Sequence, residues 1–151
     1  MTACSSSSTT PCIDSSSGYL WSARQSSSTH DNSYNYCRNH NIPGIGKNQW
    51  SLPTISTLRT LIQNCPKTQT GGSCMVTTNN CQQISCHDSN CSGCGSGSSY
   101  SKLGDTSQLW SVSAVTNANN TDYSWFVDFS SAAVSYGNKT NSKNFRCSIP
   151  H

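Results

Sequence analysis

Short apolar stripes separated by long polar stretches mark out the elements of this chain. Gly18-Tyr19-Leu20-Trp21 reads as a first strand, with Gly18 as the turn before it. The polar run 25–29 leads into a predicted helix over about 31–38, where Tyr34 and Cys37 fall at i and i+3 and share the inner face. Pro43, Gly44 and Gly46 predict a loop around them. A second helix is predicted over 55–65. Thr54 is its N-cap after Pro53, Ile55, Leu58, Leu61 and Ile62 draw one apolar stripe, and Pro66 ends it. Leu58 and Leu61 are expected in the core, with Trp50, Trp110 and Trp125 packed near this helix. From Leu109 the pattern becomes strand-like. Trp125, Val127 and Phe129 alternate with Ser124, Phe126 and Asp128, and two further strands are predicted over 132–136 and 144–149.

Composition changes this picture in one respect. Only 32% of the chain is hydrophobic and only 10% is charged, a balance that fits a domain held partly by covalent staples. Ten cysteines, an even number, predict disulfides and therefore an oxidising compartment, outside the cell or on its surface. Residues 1–17 read as a Ser/Thr-rich lead-in, closed locally by Cys4 and Cys12, and 18–151 as one domain with a cysteine-rich insert over about 65–100. Regular structure in the insert is expected to be short. The net charge of +3 mildly favours anionic partners but is too small to indicate nucleic acid. No stretch has the length of a membrane-spanning helix. Met1-Thr2-Ala3-Cys4 lacks the apolar run of a signal peptide, so a domain of a longer secreted protein is expected.

The block from Trp50 to Leu61, WSLPTISTLRTL, is followed by Trp110-Ser111, then Trp125-Phe126-Val127-Asp128-Phe129, then Phe145-Arg146-Cys147. In order and spacing these motifs resemble the Lcl C-terminal domain family, named after a collagen-like bacterial surface adhesin, over about 18–148. Gly18-Tyr19-Leu20-Trp21 and Tyr36-Cys37 are similar to family features as well. The resemblance implies an α+β, C-type-lectin-like fold: two helices with a twisted antiparallel sheet, a disulfide-rich insert, and ligand bound on the later strands and loops. It also implies a disulfide between Cys37 and Cys147. Three departures stand out. Thr57 replaces a glutamate, which removes the reciprocal half of a capping box. Ala132 replaces a glycine in a hairpin, which puts a positive-φ turn there in question. The calcium motifs of sugar-binding C-type lectins are absent, and the chain has no glutamate with which to build that site.

Candidate chemistry is sparse. Cys81, Cys86, Cys91 and Cys94 with His87 have local spacing compatible with zinc, but compartment and even count favour disulfides, whose connectivity stays open. No serine sits in a G-x-S-x-G elbow, and His30, His40, His87 and His151 lie in separate polar segments. Asp122 and Asp128 suit hydrogen bonding better than acid catalysis. Gly44-Ile45-Gly46-Lys47 lacks the rest of a phosphate loop and reads as a turn. The sequons at Asn90, Asn119 and Asn138 are expected to be accidental in a bacterial protein. The expected ligand surface runs over 117–123 and 136–144. Tyr123, Tyr136, Asn138, Lys139 and Lys143 lead it, with Asn120, Asp122 and Asn141 beside them. Tyrosine offers a flat apolar face, amides match sugar hydroxyls, and lysines meet anionic groups.

The function expected is a non-catalytic extracellular recognition domain, the glycan- or polymer-binding head of a bacterial surface or fibre adhesin. No cofactor, nucleic acid or direct membrane insertion is expected, and a homotrimer would supply avidity. A structural trimerising cap without a ligand is the alternative, and a secreted hydrolase the third reading.

Overall fold

The structure is a computed structural model describing residues 2–39, 49–116 and 122–150. In chain order its elements are β1 (Thr2–Ala3), β2 (Cys12–Asp14), β3 (Tyr19–Trp21), β4 (Gln25–Ser28), α1 (His30–Asn39), α2 (Ile55–Arg59), β5 (Gln108–Ala114), β6 (Tyr123–Asp128), β7 (Ala133–Asn138), β8 (Lys143–Phe145) and β9 (Ser148–Pro150). This is a mixed α+β architecture with two sheets rather than one antiparallel sheet. The first sheet has the order β1-β2-β3-β9 and the second β4-β8-β5-β6-β7. Both are mixed, because β1 runs parallel to β2 and β5 parallel to β8. Part of the predicted lead-in is therefore structural: β2 pairs with β3 through Cys12↔Trp21 and Ile13↔Leu20. The polar run 25–28 is strand β4, on the edge of the second sheet beside β8.

Helix α2 starts as expected and ends early. The Thr54 hydroxyl accepts from the Thr57 N–H at 3.1 Å and donates to the Thr57 hydroxyl at 3.0 Å, which keeps the N-cap half of the capping box. Beyond Arg59 the backbone tightens into i→i+3 bonds, with Leu61 N–H on the Leu58 carbonyl and Ile62 N–H on Arg59. Ile62 then bridges Ser101, and Gln63 N–H reaches the Tyr100 carbonyl at 2.9 Å. These strand-like bonds use groups that a longer helix would have kept, so the stripe 55–62 stays apolar while the helix stops at Arg59.

The second sheet is buried on both faces. Alternation sends Leu109, Trp125, Val127 and Val134 into a larger core with Ile55, Leu58, Leu61 and the insert residues Val76, Cys86 and Cys91. It sends Trp110 and Phe126 to the other face, into a smaller core with Trp50, Leu52, Phe145 and Cys37 of α1. Trp125 thus packs with the second helix as expected, whereas Trp50 and Trp110 belong to the opposite core.

Five disulfides join all ten cysteines: Cys4–Cys12, Cys37–Cys147, Cys65–Cys94, Cys74–Cys91 and Cys81–Cys86. The zinc reading fails for this reason. Such a set fits an oxidising compartment. Cys147 lies between β8 and β9, where the predicted strand 144–149 divides between the two sheets. The break coincides with Arg146, whose buried guanidinium holds Asp105 at 2.9 and 3.0 Å and the Ser22 carbonyl at 2.9 Å. The insert holds only two three-residue helical turns, Ile84–Cys86 and Ser89–Cys91.

Candidate functional site

The last antiparallel pair sets out an aromatic face. In the β6–β7 register Tyr123 opposes Asn138, Trp125 opposes Tyr136 and Val127 opposes Val134. The two-residue period of the strands therefore puts Tyr123, Trp125 and Tyr136 on one side. The Tyr136 ring lies 6.0 Å from Tyr123 and 5.4 Å from Trp125, in edge-on contacts. His87 closes the cluster from the insert, stacked on Trp125 at 6.2 Å and edge-on to Tyr136 at 5.8 Å. Trp125 is fully buried and its indole N–H donates to the Gln82 carbonyl at 2.9 Å, so it serves as a fixed base. Tyr123, Tyr136 and His87 are half-buried above it.

The turn joining the two strands is built by Asp128 and Ala132. The Asp128 carboxylate accepts from the Ser130 N–H at 3.0 Å and hydroxyl at 2.6 Å. Ala132 takes φ 61°, so the left-handed turn survives without glycine. That conformation costs about 1–2 kcal/mol for a residue with a Cβ, offset here by complete burial of the methyl group in the larger core.

The expected ligand residues do not form one patch. Asn138 directs its side-chain oxygen to the Thr140 N–H at 2.9 Å and hydroxyl at 2.7 Å, which shapes the β7–β8 turn. Asn141, exposed, donates its N–H to the Asn138 carbonyl in the same turn. The Lys139 backbone ties three elements: its N–H donates to the Asp122 carbonyl at 2.8 Å, and its carbonyl accepts from the His30 N–H at 3.0 Å. Asp122 itself is exposed. Lys143 lies on the opposite face of the sheet, its ammonium 4.0 Å from the Phe126 ring centre and 5.2 Å from Trp110. It also donates to Gln108. Burial pushes the Lys143 ammonium below its usual value, with Asp128 pulling the other way. Gly137 leaves room for this packing, because a Cβ there would sit 3.3 Å from the Phe126 ring. Asn117, Asn119 and Asn120 lie outside the described residues, as do His40, His151 and residues 44–47, where the sequence predicts a turn.

His87 is the member that pattern reading missed as a surface residue. It sits in the insert, where no periodicity points to a face, and only the disulfide-held course of 74–91 brings it over Trp125. Among the described residues, no group of three or more His, Cys, Asp or Glu could hold a metal ion. No described helix is long and apolar enough to cross a membrane. The face can contribute flat apolar rings with polar edges to a ligand.

Fold and site together define a disulfide-stapled α+β domain that presents a rigid aromatic face from its last strand pair. The chain belongs to the Lcl C-terminal domain family, whose model matches residues 11–148. That match takes in β2, a strand ahead of the region the motifs had suggested. No curated protein and no solved structure matches the chain.

Proposed function

We propose that this domain is a non-catalytic recognition head of a bacterial surface or fibre adhesin, which binds an extracellular glycan or another cell-surface polymer. The observation that carries the reading is the aromatic face of β6 and β7, where half-buried Tyr123, Tyr136 and His87 rest on the buried Trp125. Rings fixed from beneath lose little freedom on binding, and tyrosine adds a hydroxyl to its apolar face. Membership in a family named for an adhesin, together with five disulfides, supports an extracellular setting. The Cys37–Cys147 bond, which ties α1 to the closing strands, supports a C-type-lectin-like arrangement. Trimerisation on a stalk would multiply weak single sites into useful avidity.

The mechanism is stacking of sugar rings on Tyr123 and Tyr136, with no calcium involved. Lys143 is reassigned to packing on the opposite face of the sheet, over Phe126 and Trp110 and bonded to Gln108. A glycan array followed by titration of the best ligand tests the reading. Tyr123→Ala and Tyr136→Ala should each weaken binding by about tenfold or more, roughly 1.4 kcal/mol. Lys143→Met should change it by less than about twofold, and EDTA should not matter. A folded protein silent across the array would favour the structural cap. Binding abolished by EDTA would place the ligand elsewhere.

A further inference from the structure

A groove of about 880 Å³ opens where the β2–β3 turn meets the chain leaving α2, and it shares no residue with the aromatic face. Its volume falls within the roughly 300–1,000 Å³ of ligand clefts. The early end of α2 builds one wall. After Arg59 the backbone pairs with 100–101, and Asn64 turns through φ 63° toward Cys65 and its disulfide with Cys94. Ser16, Ser17 and Tyr19 supply the facing wall, and Lys102 closes one end.

The polar groups in this groove are oriented. The Gln63 side-chain N–H donates to the Ser99 carbonyl at 3.1 Å, and that of Asn64 to the same carbonyl at 2.8 Å. Both amide oxygens are left as acceptors without a protein donor among the described residues. Gln69 is held the other way, its oxygen accepting from the Cys65 N–H at 2.9 Å, which leaves its amide N–H groups to donate. Each partner is a backbone carbonyl or N–H, so the direction of every amide follows from its contact. Tyr19 adds a half-buried ring 6.3 Å from Trp21, and Ile62 and Pro66 add apolar surface.

Charge in the groove cancels. Lys102 is the one charged side chain among its lining residues, and its ammonium lies 3.7 Å from Asp14 and donates to Ser16 at 3.0 Å. Burial raises the Asp14 carboxyl, but hydrogen bonds from Ser17 and Ser16 and the charge of Lys102 outweigh it and hold it below the usual range. Asp14 is therefore ionised and balances the lysine. An anionic ligand would find no net attraction. An extended peptide would find no open strand edge along 62–63, whose N–H groups are already bonded to protein carbonyls. Fixed acceptors, a fixed donor and one aromatic ring match a ligand with many hydroxyls and no charge.

We propose that this groove is a second binding site, one that takes an uncharged oligosaccharide of hexose or N-acetylhexosamine units. The test is titration of the oxidised, isotope-labelled chain with maltotriose, cellotriose and chitotriose, followed by amide shifts. At least one trisaccharide should shift the Gln63, Asn64, Gln69 and Thr70 signals together, with an affinity that does not change with salt. Tyr19→Ala should weaken it by about tenfold. Because Tyr19 lies in β3, Thr70→Arg provides a second variant from an exposed position, and it should abolish binding while the melting temperature holds. Shifts from none of the three sugars, or shifts confined to Tyr123 and Tyr136, would overturn the proposal. Salt-sensitive binding of heparin oligosaccharides in the groove would overturn it equally. Shifts confined to Tyr123 and Tyr136 would support the aromatic face while overturning the groove, and a silent groove leaves that face to its own test with different variants.

Discussion

Replacing Arg59 with methionine should unfold the insert's anchorage. Arg59 ends α2, is 2% exposed, and has no carboxylate partner among the described residues. Its guanidinium donates instead to four backbone carbonyls of the insert: Thr68 at 2.7 Å, Cys74 at 3.1 Å, Val76 at 2.9 Å and Gln69 at 2.9 Å. Burial lowers its pKa, yet an arginine keeps its proton at any ordinary pH. Methionine preserves the apolar stem and deletes all four bonds. The Gln69 carbonyl retains a bond from Gly72, but the other three lose the donor described here. At about 1–3 kcal/mol for each unsatisfied buried group, the gross loss is roughly 3–9 kcal/mol. Relief from burying a guanidinium returns several kcal/mol. At the middle of that range, about 6 kcal/mol gross, the net expected loss is about 2–4 kcal/mol. Urea unfolding with the disulfides intact measures it, and the midpoint should fall without a change in m. Arg59→Lys, which keeps the charge but not the fork of donors, should fall between the two. A loss below about 1 kcal/mol for Arg59→Met would show that the four carbonyls find water at no cost, and the argument from burial would fail.

Leu58→Ala should cost about 2–5 kcal/mol in the same assay, since Leu58 is fully buried against the sheet; a loss under about half a unit would mean that α2 is not docked. Stability should fall in mild acid through His30. Burial depresses its pKa below 6.5, against the opposing pull of Asp31, while the unfolded chain keeps the ordinary value. Its contribution is then complete above about pH 6.5 and is lost as pH drops through that value toward the folded pKa, so His30→Gln should flatten the urea midpoint between about pH 7 and pH 5. An equal slope in the variant would assign the effect to another group. Alkylation before reduction should add no label, whereas after reduction all ten cysteines should react.

What the sequence made legible divides along the same physical lines. The cap at Thr54, the strand alternation at 124–129 and the buried Leu58 depend on near neighbours, and each is present in the fold. The end of α2 depends on Ser101 and Tyr100, some forty residues away, and so the apolar stripe overran the helix. Strand β4 carries Gln25 and three serines because it is an edge strand, where β-forming apolar residues are not required. Its polarity hid it. For the candidate site, the chemistry of segments 117–123 and 136–144 groups Tyr123 and Tyr136, and they meet because β6 and β7 are adjacent in chain and sheet and their register sets the two rings on one face. Lys143 was assigned to the same patch by nearness in sequence, but β8 pairs with β4 and β5 rather than with β7, and the lysine emerges on the other side. The groove at Tyr19 was invisible for the opposite reason: its walls come from segments that meet only in three dimensions.

The Cys37–Cys147 bond also governs how the domain would bear tension. A pull applied at its two ends passes from Cys4 directly to Cys12, runs along the chain to Cys37, and then jumps across to Cys147. Only the stretch between Cys12 and Cys37 and the short tails can lengthen. At about 3.5 Å per residue that stretch extends to roughly 90 Å, against about 500 Å for the same chain reduced. The aromatic face, the groove's insert wall and α2 all lie within the shielded loop. A load strong enough to strip out β2 and β3 would still leave the β6–β7 face on covalently closed chain, so a pull on the two termini would be met by a short, bounded extension.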